Sequence, residues 1–227
     1  MIDRLTMYER RCSRIKKPFL TIVLIFSGVI AGILITSAIY AFTGYTIFKG
    51  TQSKNISADD AMNADMIALA YTVLDYIKDD DFVALSRIVH PEFGVVFSPY
   101  ATINLTTNRR LSSEQIAALD TDTSIYVWGV YNGSGEPIEL TPADYFAQFV
   151  SAAKHMDAPV IGVNQIVRSG NALENITDVF PNAKFVDFYI SEEETTEELD
   201  WSSLRLGFEE YDGNLMLVAI IYSKWTV

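Results

Sequence analysis

The run 204-LRLGFEEYDGNLMLVAIIY-222 reads as two antiparallel strands and the turn between them. Leu204, Leu206 and Phe208 alternate with Arg205, Gly207 and Glu209, so one face is apolar and the other mixed. Asp212-Gly213 then supplies the pair of residues that tolerate positive φ in a two-residue hairpin. From Leu215 to Tyr222 the return strand is apolar throughout, the pattern of a strand covered on both faces and therefore central in its sheet.

Upstream of this hairpin, Lys184–Ile190 alternates as a half-buried strand and Val160–Val167 reads as another, with a helical connection over Ala172–Phe180. Glu192–Glu198 is an acidic run without an apolar residue, which predicts an exposed loop. Further back the period changes. Ser57 is an N-cap with Asp60 three residues on, and Met62, Met66, Leu69, Ala70, Val73, Leu74 and Ile77 follow at helical spacing. Asp79-Asp80-Asp81 ends that helix as a solvated turn, lacking the ligand spacing of a calcium loop, and Asp81 caps a short helix over Phe82–Val89. His90-Pro91 is extended, Phe93–Ile103 reads as two strand pieces, Ser112 with Gln115 caps a short helix, and Ser124–Tyr131 reads as a strand. Thr141-Pro142 opens a helix whose buried stripe is Tyr145, Phe146, Phe149, Val150 and Ala153, with His155 in its last turn beside the negative end of the dipole. Helices followed by a curved antiparallel sheet make this an α+β domain.

The other decisive stretch is Phe19–Phe42, FLTIVLIFSGVIAGILITSAIYAF, 24 residues without a charged side chain. About 20 apolar residues cross a bilayer core as a helix, so this run predicts a transmembrane signal anchor over residues 19–48, with Tyr40, Tyr45 and Phe48 as its outer aromatic belt. It is longer than the ~7–15-residue apolar core of a cleaved signal peptide. Six basic residues (Arg4, Arg10, Arg11, Arg14, Lys16, Lys17) against Asp3 and Glu9 precede it, which places residues 1–18 as a cytoplasmic tail. Residues 49–56 are a polar tether and residues 57–227 the extracytoplasmic domain. Gly28 and Gly32 form a small-xxx-small pattern that lets two helices approach closely, a route to a homodimer, although glycine is also simply common in membrane helices.

Charge narrows the partners. The chain carries −12 and its first seventeen residues +4, leaving −16 for the remainder, a surface that repels phosphate backbones and excludes a nucleic-acid partner. The single cysteine, Cys12, lies before the apolar run, so the domain has no disulfide and depends on its core. Its 171 residues suffice to build one. There is no nucleophile elbow, no pair of histidines at metal spacing and no glycine-rich phosphate loop, so neither cofactor nor metal is expected. Asn55, Asn104, Asn132 and Asn175 begin glycosylation sequons, which matter only in a eukaryotic secretory pathway.

The element order, together with HPEFGVVFSPY, YVWGVYNGSGEPIELTPADYFAQFV, DWSSLRLGFEEYDG and VAIIYSKWTV, resembles a group of exported bacterial proteins and lipoproteins similar to the nuclear-transport-factor-2-like cone fold, the superfamily of ketosteroid isomerase and scytalone dehydratase. That resemblance covers about residues 90–227 and implies a sheet curled round a cavity, with Trp128, Tyr189, Arg205 and Tyr222 as its candidate lining. It implies no reaction, because fold does not carry function. Here an apolar helix stands where the lipoproteins have a lipid-modified cysteine. His90, beside Glu92, is the candidate general base, weighed against a packed histidine. Arg205 is the candidate anion ligand, weighed against a salt bridge to Asp187 or Glu209. The leading expectation is a membrane-anchored extracytoplasmic domain that binds a small ligand or a protein partner. Its rivals are a cone-fold enzyme with acid–base chemistry in the cavity and a structural subunit of a membrane complex.

Overall fold

The computed structural model describes residues 58–191 and 200–225. The apolar run with Gly28 and Gly32, the basic tail, the tether and the acidic run Glu192–Glu198 lie outside them. Among the described residues no helix is long and apolar enough to cross a membrane. The chain divides between Ile56 and Ser57 into two compact units, and every described residue belongs to the second.

That second unit is α+β. Its helices are α1 (Ala58–Lys78), α2 (Phe82–Ser86), α3 (Ser113–Ala117), α4 (Pro142–Tyr145), α5 (Ala152–Met156) and α6 (Ile176–Val179). Its strands are β1 (Val95–Ser98), β2 (Arg109–Leu111), β3 (Tyr126–Val130), β4 (Pro137–Leu140), β5 (Val160–Val163), β6 (Lys184–Ser191), β7 (Trp201–Tyr211) and β8 (Asn214–Lys224). Six strands form a sheet in the order β2-β1-β8-β7-β6-β5, and β3 with β4 forms a separate hairpin.

The β7–β8 hairpin has the expected form. Asp212 and Gly213 take φ of 49° and 76°, the paired positive values of a turn whose twist matches its strands. A bulge where the register shifts between Gly207 and Phe208 bends the pair and adds to the sheet's curvature. β8 is internal, as its apolar run predicts, but its second neighbour is a correction to an all-antiparallel sheet. β1 joins it in parallel, Phe97 opposite Ile220. Parallel neighbours need a long crossover, and here nearly the whole domain supplies it.

Both faces of the sheet are covered. On one, Val186, Phe188, Leu204, Leu206, Phe208, Leu217 and Ile220 meet Met66, Ala70, Val73 and Leu74 of α1 and the aromatic residues of α4 and its continuation. On the other, Phe185, Ala219 and Ile221 pack beneath Ile103, Ile176 and Phe180. Segment 164–183 is thus a cover rather than the long helical connection expected over Ala172–Phe180, and only Ile176–Val179 is helical.

The helix opened by Thr141 departs from prediction in a further respect. Thr141 Oγ1 accepts the Asp144 N–H as expected, but Phe146–Val150 winds as a π-helical turn and Ser151 reverses to φ 44° before α5 begins. The wider turn shifts the buried face by one residue. Ala152 is buried where the helical stripe pointed to Ala153, and His155 is turned into the core rather than left beside the helix end.

Candidate functional site

Arg205 is fully buried on the face of β7 opposite Leu204 and Leu206, beneath segment 164–183. Its Nη1 donates to Glu174 Oε2 at 2.5 Å, and Nη2 lies 3.4 Å from Oδ2 of Asp187, its cross-strand neighbour. Its guanidinium carbon stands 5.6 Å from the centre of the Phe185 ring. Asp187 Oδ2 also accepts the Val167 N–H at 2.9 Å. Of the two acids weighed from sequence, Asp187 is the partner and Glu209 is not; Glu174, 31 residues upstream, is an addition. One cation between two carboxylates leaves this buried cluster with no surplus positive charge for an anionic ligand.

The same cluster fastens the cover. Asn164 Oδ1 accepts Phe185 N–H, Thr102 Oγ1 donates to the Leu173 carbonyl, and the Asn175 amide bonds both backbone groups of Ile103. Arg205 Nε, Glu174 Oε1, Asp187 Oδ1, Ser203 Oγ and Trp201 Nε1 are buried there without a hydrogen-bond partner.

The four candidate lining residues do not share one face. Tyr189 lies across from Ser203, on the Arg205 face, where its hydroxyl is 3.3 Å from Arg168 Nη1. Tyr222 lies across from Leu204 on the other face, half-buried, with Phe149 and His155 at ring distances of 6.0 and 6.3 Å. Trp128 is outside the large sheet. Its indole stacks on Tyr145 at 4.0 Å and 12°, receives the edge of Phe97, and donates Nε1–H to the Leu140 carbonyl. These rings, with Phe146 and Phe149, belong to the buried cluster that packs on the α1 face of the sheet.

His90 is nearly buried, and its Nδ1 accepts the backbone N–H groups of Phe93 and Glu92 at 3.1 and 3.3 Å. The Glu92 carboxylate instead accepts from the Tyr211 hydroxyl, whose ring packs on the imidazole at 4.9 Å. This is a histidine built into a turn. His155, fully buried, is held by the Val150 and Ser151 carbonyls at Nδ1 and stands 3.5 Å from Ser202 Oγ through Nε2. Burial pushes its pKa down, partly offset by those carbonyls, so the neutral ring with the proton on Nδ1 is the favoured form.

Grooves open on the surface among the described residues. One of about 970 Å³ runs along the first turns of α1, where Met62, Leu69, Leu215 and Met216 meet a rim that includes Asp65, Arg87, Lys184 and Glu210. A second, about 590 Å³, lies between α1 and the π-helical turn, lined by Ile77, Phe82, Phe146 and Lys154 among others. The third, about 420 Å³, lies between β2 and β3 and is lined by Thr106, Thr107, Asn108, Arg109, Arg110, Val127, Gly129 and Val130. None of its residues stood out in sequence. The available signal was two adjacent arginines after Thr-Thr-Asn in a strongly acidic domain.

Compared with protein-family models, with curated proteins and with solved structures, the chain matches none.

Proposed function

We propose that this chain is a single-pass membrane protein, amino terminus inside, whose acidic extracytoplasmic domain recognises a ligand or a protein partner at its surface rather than in an enclosed cavity. One observation carries the second half of the reading. The residues that would have furnished a cone with chemistry are in use elsewhere: Arg205 is held by Glu174 and Asp187, and Trp128 is stacked into a filled aromatic core. Ligand pockets are concave spaces with a few converging polar groups. Among the described residues surface grooves offer such spaces, one of them on the first turns of α1, the part of the domain nearest in sequence to the apolar run.

The first half rests on the 24 uncharged residues of Phe19–Phe42 and the basic flank before them. A cone-like descent of the α+β domain stays part of the proposal, supported by a curved sheet with the long helix α1 packed on one face. The test is topological. A reporter that folds only outside the cytoplasm, fused after Val227, is expected to be active and to remain with the membrane fraction after a high-salt wash. Activity of a cytoplasm-only reporter at the same position, or release of the chain by salt, sinks the reading.

A further inference from the structure

We infer that the groove between β2 and β3 is a binding site for a phosphoryl group, with Arg109 as its anchor. Arg109 is half-buried and lies over the Tyr126 ring, its guanidinium carbon 4.2 Å from the ring centre, which fixes the plane of the fork. Its Nε is buried without a partner, and no carboxylate of a described residue lies within ion-pair distance of it. The Asp122 carboxylate feels the charge of Arg109, but its hydrogen bonds come from the Tyr126 hydroxyl at 2.6 Å and the Ser124 N–H at 2.9 Å. Arg205 and Arg109 thus differ: the first is paired directly with two carboxylates inside the protein, the second is held in position at a groove with no carboxylate of a described residue bonded to it.

The other groups at this groove are donors too. Asn108 commits Oδ1 to Ser98 Oγ and to the Asn104 N–H, which fixes the amide orientation and leaves Nδ2 as its free end. A Cβ at Gly129 would come within 3.0 Å of that nitrogen and 3.1 Å of Pro99 Cγ, so glycine is what keeps the space above it open. Thr106 and Thr107 complete the lining, and Arg110, its guanidinium carbon 5.1 Å from the centre of the Phe93 ring, adds a second positive charge. A carboxylate accepts through two oxygens; a guanidinium fork, an amide and hydroxyls suit the larger set of oxygens on a phosphate. The space of about 420 Å³ exceeds one phosphate, and the exposed side chains of Val127 and Val130 flank it, so the groove has room for an ester body beyond the phosphoryl group.

This assigns a ligand class to the surface recognition proposed above, and rests on that reading only for the side of the membrane on which the ligand is met. Binding in solution therefore tests it separately from topology. The full-length chain in detergent micelles is titrated calorimetrically with inorganic phosphate, with glycerol 1-phosphate and with acetate at matched ionic strength. Saturable binding of glycerol 1-phosphate, weakened about tenfold or more in Arg109→Gln and in part restored in Arg109→Lys, is expected. Equal affinity for inorganic phosphate would name the free ion as the ligand source, whereas preference for the ester points to a headgroup or phosphorylated polymer. Should Arg109→Gln fail to fold, Thr107→Val, exposed and free of side-chain hydrogen bonds, carries the same expectation of weakened binding. The inference is overturned by no saturable binding of either phosphate below ~10 mM, by acetate binding as tightly, or by affinities unchanged in the variants.

Discussion

Arg205 and Glu174 meet at 2.5 Å across 31 residues of chain, and with Asp187 they pin segment 164–183 onto the outer face of the sheet. Arg205→Met keeps much of the volume but leaves Asp187, fully buried, without its cation. Losing one member of a buried pair typically costs about 3–5 kcal/mol, because the remaining charge is stranded. Denaturant unfolding of Arg205→Met is expected to show a loss of that size, and adding Asp187→Asn to recover part of it. A loss under ~1 kcal/mol, the range of exposed ion pairs, would place the guanidinium in contact with water.

Trp128 offers a second distinction between a lining residue and a core residue. It is fully buried, stacked on Tyr145, and its indole N–H is satisfied by Leu140. Trp128→Ala is expected to destabilise by about 3–5 kcal/mol, as large aromatic truncations in packed cores do. A variant that melts with the native protein would mean that the indole borders open space.

What the sequence makes legible is local. The Asp212-Gly213 turn and most of the 3.6-residue stripe of α1 arise from neighbouring residues and appear as expected, with Met66, Ala70, Val73, Leu74 and Ile77 buried and Met62 exposed, whereas β7 is buried on both faces from Trp201 to Phe208. Asp187 as partner of Arg205 was accessible too, since both lie on adjacent strands of an obvious antiparallel run. Other features depend on distant contacts. β2 is three residues long, with Arg109 and Arg110 giving it no apolar alternation, and it exists because β1 pairs with it. The parallel pairing of β1 with β8 closes more than a hundred residues of chain, for which no local pattern exists. Glu174 sits in a stretch whose period says helix, and its role is set by the arginine it covers. Likewise the π-helical turn is written in packing against β8 and α2, not in the spacing of Phe146, Phe149 and Val150.

His155 makes stability depend on pH in a direction that can be worked out. Its folded pKa is depressed by burial, with the Ser151 and Val150 carbonyls opposing, Lys154 lowering it further and Asp187 raising it. Between that depressed value and the ordinary 6.5 the unfolded chain binds more protons than the native one, so stability rises with pH there. The contribution is complete above 6.5 and is lost as pH falls toward the folded pKa. Melting temperature is expected to drop on acidification from pH 7.5 to 5.5, and His155→Asn, whose amide can donate where Nδ1–H does, to flatten that drop. An unchanged slope in the variant would assign the dependence to the carboxylates.

The domain's independence is the last expectation. Residues 57–227 contain no cysteine, so no disulfide supplies stability, and the two clusters on the faces of the sheet must supply it instead. Their described members all belong to this unit, and the chain divides between Ile56 and Ser57. α1 begins within the first residues of the unit and carries Met66, Ala70, Val73 and Leu74 into the larger cluster. Expressed without residues 1–56, the fragment is therefore expected to be soluble, to unfold cooperatively, and to show the same midpoint with and without a reducing agent. Removing a further stretch through Leu74 takes away the helix that covers β6 and is expected to abolish the cooperative transition, since Phe188 and its neighbours then face water. A fragment 57–227 that aggregates at neutral pH while the full-length chain stays folded would show that the first 56 residues complete the core.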